Sequence, residues 1–227
     1  MSRRWPDRRA VLFDLDGTLA DTAADLCAAA NAMRVEQGLD ALPLALFRPF
    51  VSRGGRAMLE IAFPHWSDTQ RAEALPEFLE RYGRDPSRHS RLFDGMAEVL
   101  AALEAQSIRW GIVTNKPIGL AEPVVKGLGL STRSGVLLGG DSLAERKPHP
   151  LPLLVACERL GVAPDSAIYV GDDLRDVQAA HAAGMPVLAA GWGYITPDDD
   201  IHGWGADALL RQPVELLDVL ALHAAAL

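Results

Sequence analysis

Apolar and polar positions along this chain follow two rhythms. Short runs that are almost wholly apolar stand at residues 10–13, 108–114, 135–138, 167–170 and 187–190. Runs of this length predict strands, and their nearly unbroken apolar character predicts strands covered on both faces. Stretches with a helical repeat lie between them. Met96, Val99, Leu100 and Leu103 fall at i, i+3, i+4 and i+7, one face of a helix. A second helix is predicted from about 150 to 160, with Pro150 at its start and Gly161 just past its end. Residues 172–183 read as a strand end, a loop and a helix closed by Gly184. Strands alternating with helices predict an α/β fold with a Rossmann-like parallel sheet.

Residues 20–91 keep a different rhythm. They hold no convincing strand, and residues 21–37 and 69–82 read as helices. Pro43, Pro49, Gly54, Gly55, Pro64 and Pro86 punctuate the rest. The expected organisation is a discontinuous core, residues 1–19 and 92–227, with a helical cap domain, residues 20–91, inserted after the first strand. Hinges are expected at 19–22 and 87–92.

The net charge of -8 argues against nonspecific nucleic-acid binding. It also means that an anionic substrate needs a locally positive pocket. Cys27 and Cys157 each sit in an Ala/Leu-rich helical pattern, which predicts buried free thiols and fits a reducing compartment. The basic start, with Arg3, Arg4, Arg8 and Arg9, is followed by only four apolar residues before Asp14, unlike a signal peptide. No apolar stretch is long enough to span a bilayer. A cytoplasmic protein with no membrane partner is expected.

The chemistry concentrates at strand ends, where open α/β sheets bind ligands. Asp14 and Asp16 stand at the mouth of the first strand, just before Gly17-Thr18. Two carboxylates so placed repel each other and lose hydration, and a divalent cation relieves both penalties. Thr114-Asn115 ends the second strand, Lys147-Pro148 follows the third, and Gly171-Asp172-Asp173-Leu174-Arg175-Asp176 follows the fourth. Each piece alone reads as a turn or a helix cap. Together and in order they predict one crevice. Asp14 can attack a phosphoryl group to give an aspartyl-phosphate that water then hydrolyses. Mg2+ on Asp14, Asp172 and a backbone carbonyl, with the Lys147 ammonium, can neutralise the meeting of two anions. Asp16 is placed to protonate the leaving alkoxide and later to deprotonate water. The Thr114 hydroxyl and the Asn115 amide can hold phosphoryl oxygens. The six histidines, His65, His89, His149, His181, His202 and His223, show no metal-ligand spacing, and Trp192 and Trp204 read as packing residues.

These motifs resemble those of the haloacid dehalogenase superfamily of phosphotransferases, over essentially the whole chain. The resemblance implies Asp14 as nucleophile, Asp16 as general acid/base, Thr114, Asn115 and Lys147 as phosphate-binding, and Asp14, Asp16 and Asp172 as the Mg2+ set. It implies that Asp176 orients either that set or Lys147, and that Asp173 either reaches the metal through water or caps the helix. Within the family, Lys147-Pro148-His149-Pro150, the fourth motif and Gly191-Trp192-Gly193-Tyr194-Ile195 look most like the phosphoglycolate phosphatase group. The segment 51–59 is similar to a relative acting on N-acetylmuramic acid 6-phosphate. The implied substrate is a small phosphate monoester, 2-phosphoglycolate first and N-acetylmuramic acid 6-phosphate as the alternative. Both carry a carboxylate, which Arg53 or Arg56 could take in bidentate fashion. Asp16 argues against a dehalogenase, whose halide needs no proton. A phosphomutase is disfavoured because residues 22–30 contain no Lys or His. A signalling receiver has no place for the helical insert. The expected state is monomer or homodimer.

Overall fold

Four consecutive apolar residues form the central strand β1 (Ala10–Phe13), and all four are fully buried. The computed structural model describes residue 5 and residues 7–222; His223 and the basic residues 1–4 lie outside them. After β1 come β2 (Ala20–Asp21), α1 (Ala23–Glu36), α2 (Leu44–Phe47), α3 (Gly55–Ala62), α4 (Asp68–Gly83), β3 (Arg91–Leu92) and α5 (Met96–Ala105). Then follow β4 (Arg109–Val113), α6 (Ile118–Gly127), β5 (Leu137–Leu138), α7 (Leu151–Leu160), β6 (Ala167–Gly171), α8 (Leu174–Ala182), β7 (Val187–Ala190), β8 (Ala208–Leu210) and α9 (Glu215–Val219).

The main sheet runs β5-β4-β1-β6-β7-β8, and every pairing in it is parallel. Successive side chains of a strand point to opposite faces. Accordingly Val11 and Phe13 pack with Ile112, Ile168 and Leu188 on one face, while Leu12 packs with Tyr169, Val187 and Leu153 on the other. Each large apolar side chain so buried contributes about 1.5–3 kcal/mol. Parallel strands also carry their C-terminal ends to one edge, and that edge is where the acidic motifs emerge.

Between β2 and β3 the chain is helical. α1 packs on α2, α3 and α4, with Phe47, Leu59 and Phe78 fully buried among them. Ser67 caps α4 with a reciprocal bond to Gln70, satisfying two otherwise free amides. One continuous apolar cluster joins these helices to the β1 face that holds Phe13. Buried Asp25 on α1 accepts bonds from the His89 amide, from Ser90 Oγ and from His89 Nδ1 at 2.8 Å. It ties the start of the helical stretch to the segment that returns to the sheet.

The structure differs from the sequence reading at several points. β2 and β3 pair antiparallel, so residues 20–91 begin and end on a two-residue ribbon where no strand was expected. Two residues are too few to show a period. The third strand shrinks from 135–138 to Leu137–Leu138, although the Gly135 amide still donates to the Trp110 carbonyl and the Val136 carbonyl accepts from the Ile112 amide. The sixth strand of the sheet, β8, and the helices α3, α6 and α9 carried no clear pattern. Cys27 and Cys157 are buried free thiols.

Candidate active site

The first motif leaves β1 by a tight turn. Gly17 has φ +83°, and a Cβ there would stand 2.1 Å from Asp172 Oδ2. Gly193 presses from another side, its would-be Cβ 2.2 Å from Asp172 Cβ. Only glycine lets both backbones approach so closely. Asp14 Oδ1 accepts from the Leu15 amide at 2.8 Å and lies 3.0 Å from Lys147 Nζ.

Asp172, just beyond β6, is 1% exposed and takes the Thr18 hydroxyl on Oδ1 and the Ser52 hydroxyl and Tyr194 amide on Oδ2. Carboxylate oxygens of Asp14, Asp172 and Asp176 lie within 4.8 Å of one another. Burial, and then the charges of Asp14 and Asp176, push Asp172 well above the ordinary carboxylate range. Burial likewise pushes Asp176 up to about 7, against the opposing pull of Lys147. Three acids packed this tightly repel one another when ionised. An all-oxygen donor set with this repulsion fits a hard divalent cation.

Lys147 is 3% exposed. Its Nζ sits 2.7 Å from Asp176 Oδ1 and donates to Tyr169 Oη at 2.7 Å, while that hydroxyl donates to the Val113 carbonyl. Burial disfavours its charge, but Asp14 and Asp176 outweigh burial and hold its pKa above the ordinary lysine value. Asp176 is thus ion-paired with Lys147, and it also accepts from the Asp173 amide. Asp173 caps α8 and pairs with Arg175 at 2.8 Å; it is not one of the three clustered acids.

Asp16 is not one of the three clustered acids. Its Oδ1 accepts from the Thr22 hydroxyl and lies 2.8 Å from Lys116 Nζ. Lys116 is held charged because Asp16 outweighs the cost of burial. Thr114 is buried, and its Oγ1 accepts from the Lys116 amide. Asn115 Nδ2 donates to the Lys147 carbonyl at 2.8 Å, while its buried Oδ1 has no partner among the described residues.

These groups converge. Asp14, Asp16, Thr114, Asn115, Lys147, Asp173 and Asp176 line a cavity of about 350 Å3, with Asp172 beside Asp14. Ser52, Arg53 and Arg56 line it from the helical stretch, and Leu26, Met58, Leu75, Leu79 and Leu120 give it an apolar wall. The two arginines differ. Arg53 Nη2 donates to Thr196 Oγ1 at 2.7 Å and pairs with Asp199 at 3.1 Å, so it spans to the loop after β7. Arg56 has no ion-pair or hydrogen-bond partner among the described residues. The motif pattern missed Lys116, Ser52, Arg175 and Tyr194. Each had a local signal without an assigned role: Lys116 directly follows Thr114-Asn115, Arg175 stands inside the fourth motif, Tyr194 lies in the stretch 191–195 and Ser52 in the segment 51–59. Trp192, read as packing, also donates its Nε1 to the Thr18 carbonyl at 3.0 Å.

A parallel sheet with paired acids, a buried lysine and a threonine at its C-terminal edge defines a class, and residues 11–190 match the haloacid dehalogenase-like hydrolases. The chain belongs to that family. It is 54% identical over 218 residues to a phosphoglycolate phosphatase of Xanthomonas campestris pv. campestris, covering 96% of this chain and 98% of that one. It is 48% identical over 213 residues to an N-acetylmuramic acid 6-phosphate phosphatase of Pseudomonas putida, covering 93% and 96%. A crystal structure of a predicted phosphoglycolate phosphatase from Haemophilus somnus 129PT superposes with TM-score 0.81 at 28% identity, covering 94% of this chain and 98% of that one. No helix among the described residues is long and apolar enough to cross a membrane.

Proposed function

We propose that this chain is a Mg2+-dependent cytoplasmic phosphomonoesterase acting on a small carboxylated phosphate ester, 2-phosphoglycolate in the first reading. The observation that carries the reading is the convergence of Asp14, Lys147 and the second and third acids on one cavity. Asp14 Oδ1 is occupied by Leu15 and Lys147, which leaves Oδ2 to attack phosphorus. The P–O bond to the alcohol breaks, and Asp16, entering this step protonated, gives the departing oxygen that proton and becomes the carboxylate. Water, losing a proton to Asp16, then attacks the aspartyl-phosphate; the bond to Asp14 breaks and inorganic phosphate leaves. Lys147, locked by Asp176 and Tyr169, balances the charge that builds on Asp14 and the phosphoryl oxygens. Thr114 and Asn115 hold those oxygens, the Asn115 side chain steadying the Lys147 loop. Asp14, Asp172 and the main-chain carbonyl of Asp16 would hold Mg2+, which when bound supplies Lewis-acid neutralisation of the transferring group. Residues 20–91 serve as a cap over residues 1–19 and 92–227, excluding water from the first step.

Asp14→Asn is the direct test. It is expected to lose at least about 1,000-fold in kcat on 2-phosphoglycolate with an unchanged circular dichroism spectrum. Retention of more than a tenth of the activity removes Asp14 as nucleophile. Arg56, unpartnered and facing the cavity, is the better candidate of the two cap arginines for the substrate carboxylate. The net charge of -8 supports no nucleic-acid partner, and the chain works as monomer or homodimer.

A second reading has its own support. The cavity has room for roughly a dozen waters at about 30 Å3 each, and one wall is apolar. A two-carbon acid fills only part of it and uses none of that wall, whereas N-acetylmuramic acid 6-phosphate brings a carboxylate and an apolar body. Comparing kcat/KM for the two esters decides between them.

A further inference from the structure

Lys116 is a buried cation that the mechanism above does not use. Its side chain is 7% exposed, with Nζ 2.8 Å from Asp16 Oδ1 and 4.5 Å from the centroid of the Tyr82 ring on α4. Burying an ammonium costs several kcal/mol unless a charge and further contacts compensate. Here the compensation is specific: one carboxylate oxygen and one aromatic face. The Thr22 hydroxyl donates to that same oxygen. Both donors therefore occupy Oδ1, and no hydrogen bond is made to Asp16 Oδ2 among the described residues. Asp16, Lys116 and Tyr82 all line the cavity.

We propose that Lys116 is a positioning residue for Asp16. With Thr22 it pins Oδ1, so that the carboxylate cannot rotate and Oδ2 is the oxygen offered to the leaving group. The ammonium also rests on the Tyr82 ring, so α4 takes part in holding it. The inference rests on the reading of Asp16 as the general acid and names what holds it.

The experiment compares kcat/KM, which reports the steps up to loss of the alcohol, on two substrates. p-Nitrophenyl phosphate releases a stable phenolate and needs little protonation; 2-phosphoglycolate releases an alkoxide and needs it. Lys116→Met is expected to lose about 10–100-fold on 2-phosphoglycolate and at least tenfold less than that on p-nitrophenyl phosphate. Adding Lys116→Met to Asp16→Asn is expected to change the 2-phosphoglycolate value by less than about twofold, since a residue acting through Asp16 has nothing left to act on. Equal losses on both substrates, or additive losses in the double variant, overturn the inference and show a merely structural or phosphate-binding lysine. Full activity of Asp16→Asn on 2-phosphoglycolate instead removes the acid/base reading itself. Lys116→Gln, smaller and uncharged, is read in the same way should the Met variant fail to fold.

Discussion

A carboxylate wedged between two glycine backbones has little room to move and little water to hold its charge. Asp172 is in that position, against Gly17 and Gly193, with Asp14 and Asp176 close enough to repel it. Its three hydrogen bonds fix where its oxygens point but leave the repulsion in place. A cation that binds the folded protein and not the unfolded chain therefore stabilises the fold by mass action, about 2.7 kcal/mol at a hundred times its Kd. Mg2+ is expected to raise Tm by several degrees, EDTA to reverse the rise, and Asp172→Asn to remove most of it while remaining folded. Differential scanning calorimetry checks this, and a wild-type Tm indifferent to Mg2+ sinks it. Lys147 shows the complementary device: a cation with carboxylates on two sides keeps its charge where burial alone would remove it.

Elements enter the site by facing it from two directions. The strand ends of β1 and β6 supply the acids, while the loop before α3 supplies Ser52 and Arg53. Arg175, in the first turn of α8, donates to the Ser52 carbonyl at 2.5 Å while holding Asp173. Tyr194 joins both sides: its amide bonds Asp172, and its hydroxyl donates to Asp21 and accepts from the Thr22 amide at the start of α1. These ties, together with Arg53 on Thr196 and Asp199, hold the 50–54 loop over the acids. Arg175→Ala is expected to speed backbone hydrogen exchange in residues 50–55 by about tenfold, the value of one charge-assisted bond of about 1.5 kcal/mol, with β1 and β6 unchanged. Mass-resolved exchange measures it; uniform or absent change means that Arg175 serves Asp173 alone.

At the scale of the whole molecule, the site depends on one sheet staying parallel and dry. Leu12 is fully buried in the central strand, and β1 pairs on one side with β4 and on the other with β6. Any loosening there moves Asp14 relative to both Thr114 and Asp172. Leu12→Ala is expected to cost about 2–5 kcal/mol in denaturant unfolding, as for other cavity-forming changes in a packed core. A loss under about 1 kcal/mol indicates that the two faces of the sheet can collapse around the gap. Net charge acts at this scale too. In a chain of charge -8, six of the 22 basic residues, Arg53, Arg56, Lys116, Arg146, Lys147 and Arg175, line the cavity that must receive an anion.

The chain's own pattern was enough to determine the parallel sheet, its central strands and the acids at their ends. Unbroken apolar runs report burial on both faces, and a strand's C-terminal end is a local fact. Asp14, Asp16, Thr114, Asn115 and Asp172 could be placed near one another because they stand just past such ends, whereas Lys147, well past β5, and Asp176, in the first turn of α8, were placed only by the order of the motifs. Tertiary structure alone decided which oxygen each partner takes. Ser52 meets Asp172 across 120 positions and Lys116 meets Asp16 across 100, distances over which no periodicity carries information. It also separated Arg53, drawn to Asp199, from Arg56, left facing the cavity, two residues alike in sequence context. The two-residue ribbon of β2 and β3 and the edge strand β8 escaped for a related reason: such short segments are specified by the neighbours they meet, and those neighbours come together only on folding.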